Sequence, residues 1–253
     1  VADIPAKNLI ELQHKVHVLT KKEELDHVRV PGKVVIVLDI LFATTTMVAA
    51  LAHGATEVIP VADEAAARAC AADIGECVLA GELFAEVLPG FAHPAPLSLV
   101  RHGIEGKRVV YSTTNGTVAM TLAAGAARVY CGALLNARAL VRHIVENHPQ
   151  QTVLIVCSGS GGNFNFEDIY GAGYFVECFL PHVADLSDAA KAALLIYRHA
   201  KAPEALLDCR VGRMMTGRGL AHEVEFACRL DAFPVIAALN DGRLSDISRS
   251  RKN

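Results

Sequence analysis

The sequence predicts an α/β protein, with helices packed against a buried, largely parallel sheet. Val34-Val-Ile-Val-Leu38 is a continuous apolar run after Pro31-Gly32, the pattern of a strand covered on both faces. Val153–Val156 repeats the pattern and is followed by a glycine-rich loop and a helical stretch. Apolar residues make up 52% of the 253-residue chain and tryptophan is absent, a composition that suits small aliphatic side chains layered between helices and a sheet.

Each element follows in order. Residues 1–14 lack clear periodicity and read as an extension outside the core, and Lys15–Leu19 alternates like a first strand. After the strand at 34–38, Thr44, Thr45 and Thr46 lead into an alanine-rich stretch closed by His53-Gly54, which predicts a helix with hydroxyl caps and a C-terminal glycine. Val58–Val61 and Cys77–Ala80 read as further strands. Arg108–Tyr111 (strand), Thr113–Thr117 (loop), Val118–Ala124 (helix) and Val129–Cys131 (strand) then repeat the earlier order. An offset of 71 residues pairs Gly54 with Gly125, Thr46 with Thr117, Leu51 with Leu122 and Val58 with Val129. Duplication and recurring α/β geometry both account for it. Beyond the strand at 153–156, a helix starts near Phe166-Glu167-Asp168, helices cover 186–200 and 203–230, and Phe233–Ala237 adds a short strand. A single domain over 15–240 is expected, with 241–253 as a polar tail.

A net charge of −3 provides no excess of positive charge to neutralise a nucleic-acid backbone or an anionic membrane, so no nucleic acid and no membrane is expected as partner. The seven cysteines form no C-x-x-C pair, which argues against a zinc ribbon or a disulfide framework. Asp3, Lys7 and Glu11 interrupt any apolar stretch at the start, so the cytoplasm is the expected location. A homodimer is the base-rate expectation.

In open α/β sheets, ligands gather at the carboxyl ends of strands, where loops enter helices with their N–H groups directed outward. Three loops qualify here. Asp39 ends the central strand and Thr44, Thr45 and Thr46 follow; Thr113, Thr114, Asn115, Gly116 and Thr117 end the second; Ser158, Gly159 and Ser160 end the third. Together they form a candidate cradle for one tetrahedral anion. Carboxylates fall at the same edge, in Asp39, Glu82, Glu167 and Asp168. Mg²⁺ takes hard oxygen ligands, commonly one or two carboxylates plus substrate phosphate, so the combination points to metal-assisted phosphoryl chemistry on a small-molecule phosphate ester. Asp39, Glu82 and Glu167 are the metal candidates, with Asp39 also a candidate nucleophile, and Asp168 is the candidate acid or base. Asp39 as a helix cap, and Glu167 and Asp168 as partners of a helix dipole, are the structural alternatives.

Other templates do not fit. The chain has neither a G-x-x-x-x-G-K-[ST] loop nor a G-x-S-x-G elbow, and Asn163 stands where a cysteine-dependent phosphatase starting at Cys157 needs arginine.

Val35–Thr46, Gly81-Glu82, Thr113–Thr117 and Cys157-Ser-Gly with Glu167-Asp168 and Ala172-Gly173 resemble, in order and spacing, the 2-phosphosulfolactate phosphatase family. The resemblance runs from about Lys15 to Val235. It implies a three-layer α/β/α fold with a mixed, largely parallel sheet, and Mg²⁺-dependent hydrolysis of 2-phospho-3-sulfolactate to 3-sulfolactate and phosphate, a step associated with coenzyme M synthesis. The family typically carries arginine where this chain has Phe42 and Leu83. Those changes leave open a phosphatase of altered substrate, or a non-catalytic anion-binding protein. Arg210, Arg213 and Arg218 are the candidate replacements.

Overall fold

A computed structural model describes residues 16–83, 86–113, 115–183 and 185–249. The extension 1–14, the end of the polar tail and Thr114 lie outside the described residues.

Among the described residues, ten strands form one mixed sheet. These are β1 (Val16–Leu19), β2 (Val34–Leu38), β3 (Glu57–Val61), β4 (Val78–Leu83), β5 (Glu86–Val87), β6 (Arg108–Ser112), β7 (Arg128–Gly132), β8 (Val153–Cys157), β9 (Ala237–Asn240) and β10 (Arg243–Asp246). Their spatial order is β1-β8-β2-β7-β9-β10-β3-β6-β4-β5. The helices are α1 (Ala43–Ala52), α2 (Glu64–Ile74), α3 (Pro96–Arg101), α4 (Gly116–Leu122), α5 (Ala137–Asn147), α6 (Phe166–Phe179), α7 (Asp188–His199), α8 (Glu204–Asp208), α9 (Arg210–Gly217) and α10 (Ala221–Ala227).

Side chains of β2 sort by the two-residue period of a strand. Val34, Ile36 and Leu38 join the apolar cluster of α5, α6 and α7, whereas Val35 and Val37 face α1 and α4. The other half of the sheet behaves alike: Val58, Val109 and Tyr111 reach the α1 and α4 cluster, and Ile59 and Val110 pack with Ala67 of α2. Helices therefore cover both faces, giving the three-layer α/β/α arrangement.

The repeated unit proves to be interlocked. β2 pairs in parallel with β7, from Val34↔Arg128 to Leu38↔Gly132, and β3 pairs in parallel with β6, from Glu57↔Arg108 to Val61↔Ser112. The first strand of each strand-helix-strand unit thus takes its partner from the second strand of the other unit. β9 and β10 stand between the two halves, antiparallel to β7 and to β3 respectively and to each other. Three antiparallel steps in succession leave the β2 and β7 half running opposite to the β3 and β6 half.

Two expectations change here. Residues 233–236 carry no strand, and the chain past Asp241 does not leave as a tail: Asp241 and Gly242 adopt φ of 48° and 75°, a tight hairpin turn, and 243–246 return through the middle of the sheet. Moreover, the threonines do not cap α1. Phe42 is the N-cap residue, and the first turn is capped by Asp39, whose Oδ1 accepts from the Ala43 amide at 3.3 Å.

Candidate active site

The ends of β2, β4 and β6 open onto a cleft of about 650 Å³, closed on its far side by α9. Asp39 reaches its floor from the turn after β2. Gly116 makes this possible: a Cβ there would lie 2.5 Å from Ala43 Cβ and 2.9 Å from Asp39 Oδ2, so only glycine lets α4 begin against the carboxylate. Glu82 arrives from β4, Thr113 and Asn115 from the loop after β6, and Ser160 from the loop after β8. Five sequence candidates from four separate strand ends therefore share one cleft.

Other candidates sit behind it. Thr44, Thr45, Thr46 and Thr117 are buried, and their hydroxyls donate to the carbonyls of Asp39, Ile40, Pro94 and Thr113 at 2.7 to 3.0 Å. They fix loops against helices and do not face the cleft. Asp168 is also enclosed: Oδ1 accepts from the Ile40 amide at 2.9 Å and Oδ2 from the Gly159 amide at 3.0 Å, so one carboxylate ties the turn after β2 to the loop after β8. Glu167 points into an adjoining cavity of about 390 Å³, where Oε2 accepts from the Cys209 thiol at 3.2 Å. Two buried hydroxyls, Thr113 Oγ1 and Ser158 Oγ, have no partner among the described residues.

The electrostatics follow from burial of several acids together. The Asp39 carboxyl is pushed up to about 7, chiefly by desolvation, with the charges of Glu167 and Glu82 adding and the Ala43 amide and Lys22 opposing. Burial likewise raises Asp168 well above the carboxylate range, reinforced by Asp39 and Glu167, and it raises Glu167. Cys157 is fully buried with its thiol pushed up, in keeping with the exclusion of a thiolate mechanism.

One cation comes from a place the motifs did not mark. Lys22, in a short turn after β1, is buried and donates to Asn115 Oδ1 and to the Ser158 carbonyl, both at 3.1 Å, bridging two of the anion loops. In the sequence it belongs to Lys21-Lys22-Glu23-Glu24, which looks like any solvated charge run. Arg210 and Arg218 both line the cleft; Arg210 donates to Ser160 Oγ and, at 2.8 Å, to Asn165 Oδ1, whereas Arg218 pairs with Glu86 at 2.9 Å. Arg213 instead pairs with Asp208 at 3.1 Å. Phe42 lines the cleft while packing in the core, and Leu83 is exposed outside it. His93 also lines the wall; its Nδ1 accepts from the Ala95 amide at 3.1 Å, and burial lowers its proton affinity, so the neutral ring keeps its proton on Nε2.

A three-layer α/β protein whose strand ends deliver carboxylates, cations and loop amides to one cleft is built as enzymes of small anionic esters are built. The family model described as 2-phosphosulpholactate phosphatase matches residues 19–242. A probable 2-phosphosulfolactate phosphatase of Deinococcus radiodurans is 36% identical over 214 residues, covering 83% of this chain and 88% of its own. Proteins of the same description from Carboxydothermus hydrogenoformans and Clostridium novyi are 32% and 30% identical, covering 91% and 88% of this chain and 96% and 95% of theirs. The chain belongs to the 2-phosphosulfolactate phosphatase family and is a phosphoric monoester hydrolase. Among the described residues, no helix is long and apolar enough to cross a membrane.

Proposed function

We propose that this chain is a Mg²⁺-dependent phosphatase of a small organic phosphate monoester, with 2-phospho-3-sulfolactate as the reference substrate taken from its relatives. The observation that carries the reading is that Asp39 and Glu82 line one cleft with Thr113 and Asn115, with Gly116 against the Asp39 carboxylate. Mg²⁺ commonly binds through one or two carboxylates and completes its shell with water and phosphate oxygens. Asp39 and Glu82 fit that mode; among the described residues no three His, Cys, Asp or Glu side chains gather as a metal site, so the reading rests on these two carboxylates. When bound, the cation supplies charge neutralisation for the phosphoryl oxygens.

The remaining work falls to the chain's own groups. In hydrolysis a water oxygen adds to phosphorus as the ester P–O bond breaks, and the leaving oxygen ends protonated. Thr113 Oγ1, buried without a partner among the described residues, and the Asn115 side chain are suited to hold phosphoryl oxygens. His93, which lines the same cleft, is suited to donate a hydrogen bond from Nε2. Asp168 serves as a positioning residue, holding the Ile40 and Gly159 amides so that two loops face each other.

The test is phosphate release from 2-phospho-3-sulfolactate by the wild-type and Asp39→Asn proteins, with and without chelator. A loss on the order of 10²- to 10³-fold is expected on substitution, and a comparable loss on chelation. Full activity of a folded Asp39→Asn protein overturns the reading, and thermal stabilisation by substrate without turnover assigns a binding role instead.

A further inference from the structure

We infer, resting on the phosphatase reading above, that Lys22 is a positioning residue of the phosphate site. Its buried ammonium holds the carbonyl end of the Asn115 side chain, so that the N–H groups of that amide are the end left to grip phosphoryl oxygens.

A side-chain amide has an acceptor end and a donor end of nearly the same shape, and one that lines a cleft can turn either towards a ligand. An ammonium carries donors alone, so whatever it binds must offer an oxygen. Lys22 Nζ lies 3.1 Å from Asn115 Oδ1. That contact turns the acceptor end away and leaves Nδ2 to the cleft that Asn115 lines. A donor fixed in advance at the place of an anion is worth more than one that must turn to meet it.

The ammonium itself is fully engaged. Its three N–H groups match three oxygens: Asn115 Oδ1 and the Ser158 carbonyl, both at 3.1 Å, and Glu23 Oε1 at 3.3 Å. Lys22 therefore acts through Asn115 and through its charge, not by touching substrate. Its side chain is 9% exposed, so water competes little for these charge-assisted bonds. The charge also reaches the cleft floor, where it opposes the rise in proton affinity of Asp39.

The backbone seats the lysine for this work. Lys22 opens the short 3-10 turn Lys22–Glu24, and its own amide approaches the same Ser158 carbonyl at 3.5 Å. Beside it, Lys21 Nζ donates to the Gly162 carbonyl at 2.8 Å, and a Cβ at Gly159 would lie 3.1 Å from Lys21 Cβ. The turn after β1 is thus packed onto the loop after β8, and from there the Lys22 side chain crosses to the loop after β6.

The experiment is a double-mutant cycle on kcat/KM for 2-phospho-3-sulfolactate with Mg²⁺, using the wild type, Lys22→Met, Asn115→Ala and the double variant, with a melting temperature for each. Lys22→Met is expected to lose about tenfold or more, but less than about twofold in a chain that already carries Asn115→Ala, because the group it orients is gone. Equal losses in the two backgrounds overturn the inference. If Lys22→Met does not fold, Asn115→Asp decides: its carboxylate keeps an acceptor for Lys22 and removes the donor, so the melting temperature should hold while kcat/KM falls on the order of 10²-fold. A lower melting temperature of that variant, or an undiminished kcat/KM, overturns the inference. If the wild type does not hydrolyse the ester, the phosphatase reading fails, and the same cycle is read as Kd for inorganic phosphate with Mg²⁺. A loss that vanishes in the Asn115→Ala background supports the inference; equal losses, or no binding by the wild type, overturn it.

Discussion

Asp39 combines three duties that a sequence displays as one letter. It caps α1, it faces the cleft, and it lies close enough to Glu167 and Glu82 for their charges to raise its proton affinity. The sign of the resulting pH dependence follows directly. Its folded value, about 7, is above the 3.8 of an exposed aspartate, so between those values the folded state binds more protons than the unfolded one. This contribution to stability is fully present below the unfolded value and is lost as pH rises through about 7. In chelator, the wild type should therefore gain thermal stability relative to Asp39→Asn as pH falls from about 8 to about 5. A flat difference between the two melting curves would mean that the carboxyl titrates normally. Much of this residue scale was legible: Asp39, Glu82, Thr113, Asn115 and Ser160 were marked by their places at strand ends. Lys22 was not, because what distinguishes it from Lys21 is burial under two loops distant in the chain. Nor were Thr44, Thr45, Thr46 and Thr117 separable from Thr113, since a hydroxyl bonded to its own loop and one left over at the cleft share the same local sequence.

Helices α6 and α7 cross in close contact. A Cβ added at Gly173 would lie 2.1 Å from the Ala193 carbonyl oxygen and 2.7 Å from Tyr197 Cβ. Backbone cannot step aside as a flexible side chain can. Replacing a mid-helix glycine by alanine ordinarily gains about 1 kcal/mol of helix propensity, while overpacking costs about 1–3 kcal/mol and more against fixed atoms. The packing term wins, so Gly173→Ala should lower the melting temperature by roughly 2–4 °C per kcal/mol of net loss, measurable by calorimetry. An unchanged or higher melting temperature would show that the two helices can move apart freely. At this scale β2 and β8 announced themselves by continuous β-branched runs. The hairpin of β9 and β10 did not, despite its Asp241-Gly242 turn, because Arg243, Ser245 and Asp246 give its return strand the look of a solvated tail. That strand is admitted to the sheet by Leu244 alone among its apolar residues, fully buried opposite Val58.

For the whole molecule, the repeat at an offset of 71 residues was visible in the glycines, but its meaning was not. Two tandem units and two interlocked units have the same sequence signature; only the strand partners differ. Because β2 needs β7 and β3 needs β6, the half ending before β6 keeps only the short β4–β5 pair, while β7, β9 and β10 remain paired in the other half. A fragment ending at residue 106 should show no cooperative unfolding transition by circular dichroism, whereas coexpression with the fragment 107–253 should restore one. A cooperative melt of the first fragment alone would overturn the interlocked account of its stability.

The same pairing governs the chain while it is being made. β2, with five buried aliphatic residues, has both its neighbours in β7 and β8, about a hundred residues downstream. At roughly 5–20 residues per second, a ribosome needs on the order of ten seconds to deliver them. For that interval a valine-rich strand with two open edges waits without a partner, which makes the nascent polypeptide a natural client for chaperones.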